Sequence, residues 1–79
     1  MKTNQKEVER FGKLLKHMRK DAGLTQAALA FEAGIGRRTI QQIEAGTQAL
    51  TINLFFSIAR ALHIQPKDFF EGFEIDMEE

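Results

Sequence analysis

The sequence contains no cysteine. That excludes disulfides and thiolate metal sites, and it fits a reducing compartment. Its two histidines, His17 and His63, are far apart and near no carboxylate cluster, so no metal centre is expected. No apolar run approaches the ~20 residues needed to span a bilayer, and no signal peptide is visible. A cytoplasmic, non-membrane protein is the expectation. There is no H-E-x-x-H, no paired histidine and no other catalytic constellation, so an enzyme is not expected. Internal repeats, low-complexity segments and linkers are also missing. With 79 residues the chain is sized for one domain with a modest core and leaves no room for a ligand-binding domain. No cofactor and no small-molecule effector are expected.

Net charge is zero, but the zero hides an asymmetry. Residues 1–40 carry nine Lys/Arg against four Asp/Glu, a net of +5. Residues 41–79 carry two against seven, a net of −5. A basic half can meet a polyanion while an acidic half points elsewhere; equally, such charges can lie on solvated faces.

Apolar periodicity predicts five short helices. Val8, Phe11, Leu15, Met18 and Ala22 recur at spacings of three and four, ending at Gly23, with Lys13, Lys16, Arg19 and Lys20 between or beside them. Thr25 is a suitable N-cap for a second helix, "QAALAFEA", with Leu29, Ala30 and Ala33 inward and Gly34 as its left-handed terminator. The third helix runs from about Arg37 to Glu44, with Ile40 and Ile43 inward, Gly36 as an N-cap without a side-chain oxygen, and Gly46 at its end. Thr51 caps a fourth, with Ile52, Phe55, Ile58, Ala59 and Leu62 on one stripe. "HIQP" breaks it, and Pro66 suits the first turn of a fifth helix, "PKDFFE". In the tail, Phe73, Ile75 and Met77 alternate with acids, a strand-like pattern over residues 73–77.

The stretch "AGIGRRTIQQIEAG", Ala33 to Gly46, admits two readings. A Gly-rich turn before a basic helix could cradle a nucleotide phosphate. Phosphate loops require G-x-x-x-x-G-K-[ST] or G-x-G-x-x-G after a strand. Here Arg37, Arg38 and Thr39 follow Gly34-Ile35-Gly36, and the preceding segment is helical. The geometry suits a helix-turn-helix unit over about residues 25–45: small Ala30 where helices touch, Gly34 at the turn, and branched Ile40 and Ile43 inward. Arg37, Arg38, Gln41 and Gln42 are left pointing out. Arg can bond guanine bidentately in the major groove and Gln can do so with adenine. The arginines also lie at the positive end of the helix dipole, a cost that an anionic partner relieves.

"LLKHMRKDAGLTQAALAFEAGIGRRTIQQIEAG" followed by "LTINLFFSIARALHIQP" resembles the lambda-repressor-like helix-turn-helix family, also called XRE or Cro/C1-type. The likeness rests on the spacing of Arg19, Gly23-Leu24-Thr25-Gln26, Leu29-Ala30, Gly34, Ile40, Ile43-Glu44 and Gly46. Within the family the chain is most similar to short single-domain regulators, including controller proteins of restriction–modification systems. The resemblance implies an all-α, five-helix, lambda-repressor-like DNA-binding domain spanning the chain, 1–79, and sequence-specific regulation of transcription. It places Arg37, Arg38 and Gln42 at bases, with Thr39 and Gln41 as secondary readers. It places Thr25, Gln26, Thr47 and Gln48 at the DNA backbone, and makes Arg19 and Glu44 a partly buried ion pair between the first and third helices. Gly36 departs from the Ser or Thr often found there, and Ala28 from the usual polar residue.

One such unit reads only a few base pairs, so a homodimer on a palindromic operator is expected. Leu54, Phe56, Phe70, Phe73 and Ile75 are the interface candidates, while Phe55 and Phe69 fill the core. Residues 72–79 have three readings: they join the dimer, with 73–77 as a strand paired with its twin, fold over the same chain, or fray. Regulation by protein concentration follows from dimerisation. Sub-types left open are a phage-like repressor, a controller protein and an antitoxin. The competing function class is a helix-turn-helix fold used as a protein-interaction module.

Overall fold

The computed structural model describes residues 5–71, all of them but Phe70 with side chains. Five helices follow in order: α1 (Gln5–Asp21), α2 (Gln26–Ala33), α3 (Arg37–Ala45), α4 (Ile52–Ala61) and α5 (Pro66–Glu71). Among the described residues there is no strand. The strand expected over 73–77 lies outside them.

Caps explain most of the boundaries. The Thr25 hydroxyl accepts from the Ala28 N–H at 3.0 Å, and the Thr51 hydroxyl accepts from the Leu54 N–H at 3.1 Å. Each satisfies one of the donors a helix start leaves open, worth about 1 kcal/mol. Gly36 begins α3 in an extended conformation with no side-chain bond. α2 and α3 each end on a left-handed glycine, Gly34 at φ 69° and Gly46 at φ 77°. α4 ends differently. His63 takes the left-handed conformation, φ 58°, and Ile64 N–H reaches back to the Ala59 carbonyl at 3.1 Å. The chain turns at His63, the first residue of the "HIQP" that the sequence marks as the breaker. At the next start, Asp68 accepts from the Gln65 N–H at 3.1 Å.

The core is built from Leu15, Leu29, Ile40, Ile43, Ile58 and Phe69, all fully buried. Phe69 stacks on Phe11 with centroids 5.4 Å apart and meets Phe55 at 5.0 Å, so three rings pin α5 to α1 and α4. Two sequence expectations are corrected. Ala22 is exposed, because α1 stops at Asp21 and the chain is already turning. Ile52 is 66% exposed, because it sits in the first turn of α4 and the buried part of that stripe begins at Phe55. Periodicity gives the side of a helix, not the depth at which each residue meets the core.

α1 and α3 approach with no room between them. A Cβ on Gly12 would lie 2.3 Å from the Ile43 carbonyl oxygen and 2.9 Å from that of Glu44. Glycine in a helix interior costs about 1 kcal/mol against alanine; here it lets the α1 backbone sit directly on that of α3. Two turns before Gly12, the Gln5 amide donates to the Gly46 carbonyl at 2.8 Å. α1 therefore lies across the C-terminal end of α3, residues 43–46, and sets its position.

Candidate nucleic-acid interface

α2, the turn Gly34-Ile35-Gly36 and α3 form the helix-turn-helix. Gly34 closes α2, Ile35 N–H bonds the Ala30 carbonyl at 3.0 Å, and the half-buried Ile35 side chain packs on the core. That anchor fixes the angle at which α3 leaves the turn. With Ile40 and Ile43 buried, α3 must turn Arg37, Arg38, Gln41 and Gln42 outward. Arg37 and Arg38 are exposed, while Thr39, Gln41 and Gln42 are half-buried. No acid stands in the first turn of α3, so its N-terminal amides and two guanidinium groups face the same solvent uncompensated.

Glu44, the only carboxylate of α3, is turned inward. Arg19 Nε donates to Glu44 Oε2 at 2.6 Å and Nη2 donates to Oε1 at 3.1 Å. Arg19 Nη1 donates to the Leu24 carbonyl at 2.7 Å, so one guanidinium ties α1, the α1–α2 turn and α3 together. The two side chains are 8% and 3% exposed. The outward face of α3 is consequently left without negative charge.

A third partner was not anticipated from sequence. Gln26 Nε2 donates to Glu44 Oε1 at 3.0 Å. Because the carboxylate can only accept, it fixes which way the Gln26 amide points. Gln26 stands at the first position of α2, beside Thr25. The Thr25 hydroxyl accepts within the cap, so its own proton remains to donate outward.

Beyond α3 the expected backbone contacts divide. Thr47 is exposed, but its hydroxyl donates to the Gln42 carbonyl at 3.2 Å and its N–H bonds the same oxygen at 2.9 Å. Both Thr47 donors thus close the C-terminus of α3. Gln48 is half-buried and lines a shallow 250 Å³ surface pocket with Val8, Phe11 and Leu50, against α1.

Of the dimer candidates, Phe56 is 48% exposed and Leu54 is half-buried against the core. Phe73 and Ile75 lie outside the described residues, as does the side chain of Phe70. Exposed Ile52 stands four residues before Phe56 and joins it on one face of α4. Among the described residues no helix is long and apolar enough to cross a membrane.

Gly12 and Gln26–Glu44 are what sequence reading passed over. Gly12 had a signal: a glycine in mid-helix, away from any cap, marks close packing. The Gln26–Glu44 bond had none, because it depends on how α2 and α3 cross.

Comparison with known proteins agrees with this geometry. A helix-turn-helix family model matches residues 15–69. The control protein C.BamHI of Bacillus amyloliquefaciens is 36% identical over 59 residues, 73% of each chain. The restriction-modification controller protein C.AhdI from Aeromonas hydrophila superposes with a TM-score of 0.77 at 32% identity, covering 80% of this chain and 96% of that one. The controller C.Esp1396I, in a tetramer bound to its natural 35 base-pair operator, superposes with a TM-score of 0.78 at 27% identity, covering 89% of this chain and 90% of that one.

Proposed function

The chain belongs to the helix-turn-helix family (HTH_3), and on that footing we propose that it is a sequence-specific DNA-binding transcriptional regulator of the controller type. It binds a palindromic operator as a homodimer with α3 in the major groove, in the cytoplasm of its cell. The observation that carries this reading is the outward face of α3: Arg37, Arg38, Gln41 and Gln42, with Glu44 withdrawn into the pair with Arg19. Arg37, Arg38 and Gln42 read base edges, with Thr39 and Gln41 as secondary contacts. Thr25 and Gln26 hold a phosphate, helped by the first amides of α2. Gln48 contacts the backbone through its side-chain amide, and Thr47 by turning its hydroxyl from the Gln42 carbonyl to a phosphate. Ile52 and Phe56 of α4, with Leu54, Phe70, Phe73 and Ile75, supply the apolar interface that sets two recognition helices ~34 Å apart.

Dimerisation makes occupancy depend on protein concentration. The test is a mobility shift with the DNA just upstream of the protein's own coding region. Binding to an inverted repeat there, abolished by scrambling either half-site, is expected. Equal binding to scrambled DNA would remove the sequence-specific reading.

A further inference from the structure

We propose that α1 carries a second contact to the DNA backbone, a ridge formed by Lys16 and Lys20 with Lys13 beside them. This rests on the DNA-binding reading above and extends its footprint. The placement follows from how α1 meets α3. The residues of α1 that touch α3 are Gly12, against the Ile43 and Glu44 carbonyls, and Arg19, against the Glu44 carboxylate. Successive residues of a helix advance about 100°. Counting round α1 from buried Leu15, one passes Arg19 and Gly12 and then reaches Lys16, Lys20 and Lys13. α1 crosses the C-terminal end of α3: Gln5, Glu9, Gly12 and Arg19 all meet residues 43–46. The lysine flank lies next to Arg19, which holds Glu44 and through it Gln26, and Gly23 N–H bonds the Lys20 carbonyl at 2.9 Å, so the flank borders the turn that leads into Thr25 and Gln26.

The charge pattern supports a polyanion as the occupant. Lys13, Lys16 and Lys20 are exposed, and among the described residues Lys16 and Lys20 pair with no carboxylate. Asp21, the nearest acid in sequence, is turned to His17 at 3.5 Å. Glu9, on the same side nearer the helix start, is bonded by the Gln5 amide. Lys16 and Lys20 stand four residues apart, a like-charge spacing that destabilises a helix left to itself. A phosphate between them reverses that sign. Arg19, between Lys16 and Lys20 in sequence, holds the carboxylate that holds Gln26, which links the ridge to the proposed backbone site.

The test is the salt dependence of binding, measured for the wild type and for Lys16→Gln/Lys20→Gln on the upstream inverted repeat and on an unrelated duplex of equal length. Each lost phosphate contact reduces the slope of log K against log salt by about 0.9. The double variant is expected to lose about 1.8 in slope per bound protomer, on both duplexes alike, with a thermal melt no lower than that of the wild type. Lys67→Gln, an exposed lysine on α5, is expected to leave the slope as it was. A wild-type slope in the double variant would overturn the ridge while leaving the DNA-binding reading intact. So would an equal loss in Lys67→Gln, which would mark bulk charge, or a loss confined to one operator position, which would mark base reading. A wild type that binds neither duplex would overturn both.

Discussion

Glu44 Oε1 accepts a hydrogen bond from the Gln26 side-chain amide at 3.0 Å while the same carboxylate is gripped by Arg19. The recognition helix, the start of α2 and the last turns of α1 are thereby fastened at one buried point. Alignment of the reading face and alignment of the proposed phosphate contact depend on one carboxylate.

Removing either member of the ion pair strands a buried charge. Arg19→Ala and Glu44→Ala are each expected to cost about 3–5 kcal/mol in urea unfolding. Replacing both partners by apolar groups, as in Arg19→Met/Glu44→Leu, is expected to recover most of that loss. The recovered protein should still bind DNA more weakly than wild type, because Gln26 has lost the acceptor that orients it. Full affinity in the stable double variant would show that the carboxylate only holds the fold.

The α1–α3 contact gives a second expectation. Gly12→Ala places a methyl within 2.3 Å of a backbone carbonyl, and backbone cannot yield as a flexible side chain can. A loss of about 1–3 kcal/mol in thermal or urea unfolding is expected, although alanine is the better helix former. An unchanged or raised stability would mean that the two helices separate at little cost.

His63 offers the opposite sign. Its left-handed conformation costs an L-residue roughly 1–2 kcal/mol, and glycine avoids that penalty while adding some freedom to the unfolded chain. His63→Gly is expected to stabilise by about 0.5–1 kcal/mol in the same unfolding experiment. A destabilised variant would assign the histidine side chain a packing role.

Ile52 and Phe56 are exposed on one face of α4 and contribute little to the core. Ile52→Lys and Phe56→Lys are expected to turn a dimer into a monomer in sedimentation while leaving the helical signal intact. Phe56 touches Phe55 with ring centroids 5.5 Å apart, so its variant should melt slightly lower than that of Ile52. Dimers that survive both substitutions would move the interface elsewhere.

What could be read from the sequence divides along the range of the interactions. Thr25, Gly34, Gly36, Gly46, Thr51 and Pro66 act on their own neighbours, and the helix bounds they imply are those observed within a residue or so. The Arg19–Glu44 pair was legible through a family resemblance, although 25 residues separate its members. Gln26–Glu44, Gln5–Gly46 and the bare backbone contact at Gly12 depend on helix crossing, which no local pattern encodes. Ile52 was placed on the correct face at the wrong depth. The two bonds from Thr47 to the Gln42 carbonyl belong to the end of α3 and carry no signal in the sequence.

Base reading by α3 is tested most directly by Arg37→Ala and Arg38→Ala. The measurement is the ratio of affinities for the upstream inverted repeat and for an unrelated duplex, at one fixed salt concentration. Each variant is expected to lose about 1–3 kcal/mol on the inverted repeat, to lose less on the unrelated duplex, and to accept substitutions at one operator position that the wild type rejects. Wild-type ratios in both variants would contradict the assignment of α3 as the helix that reads DNA.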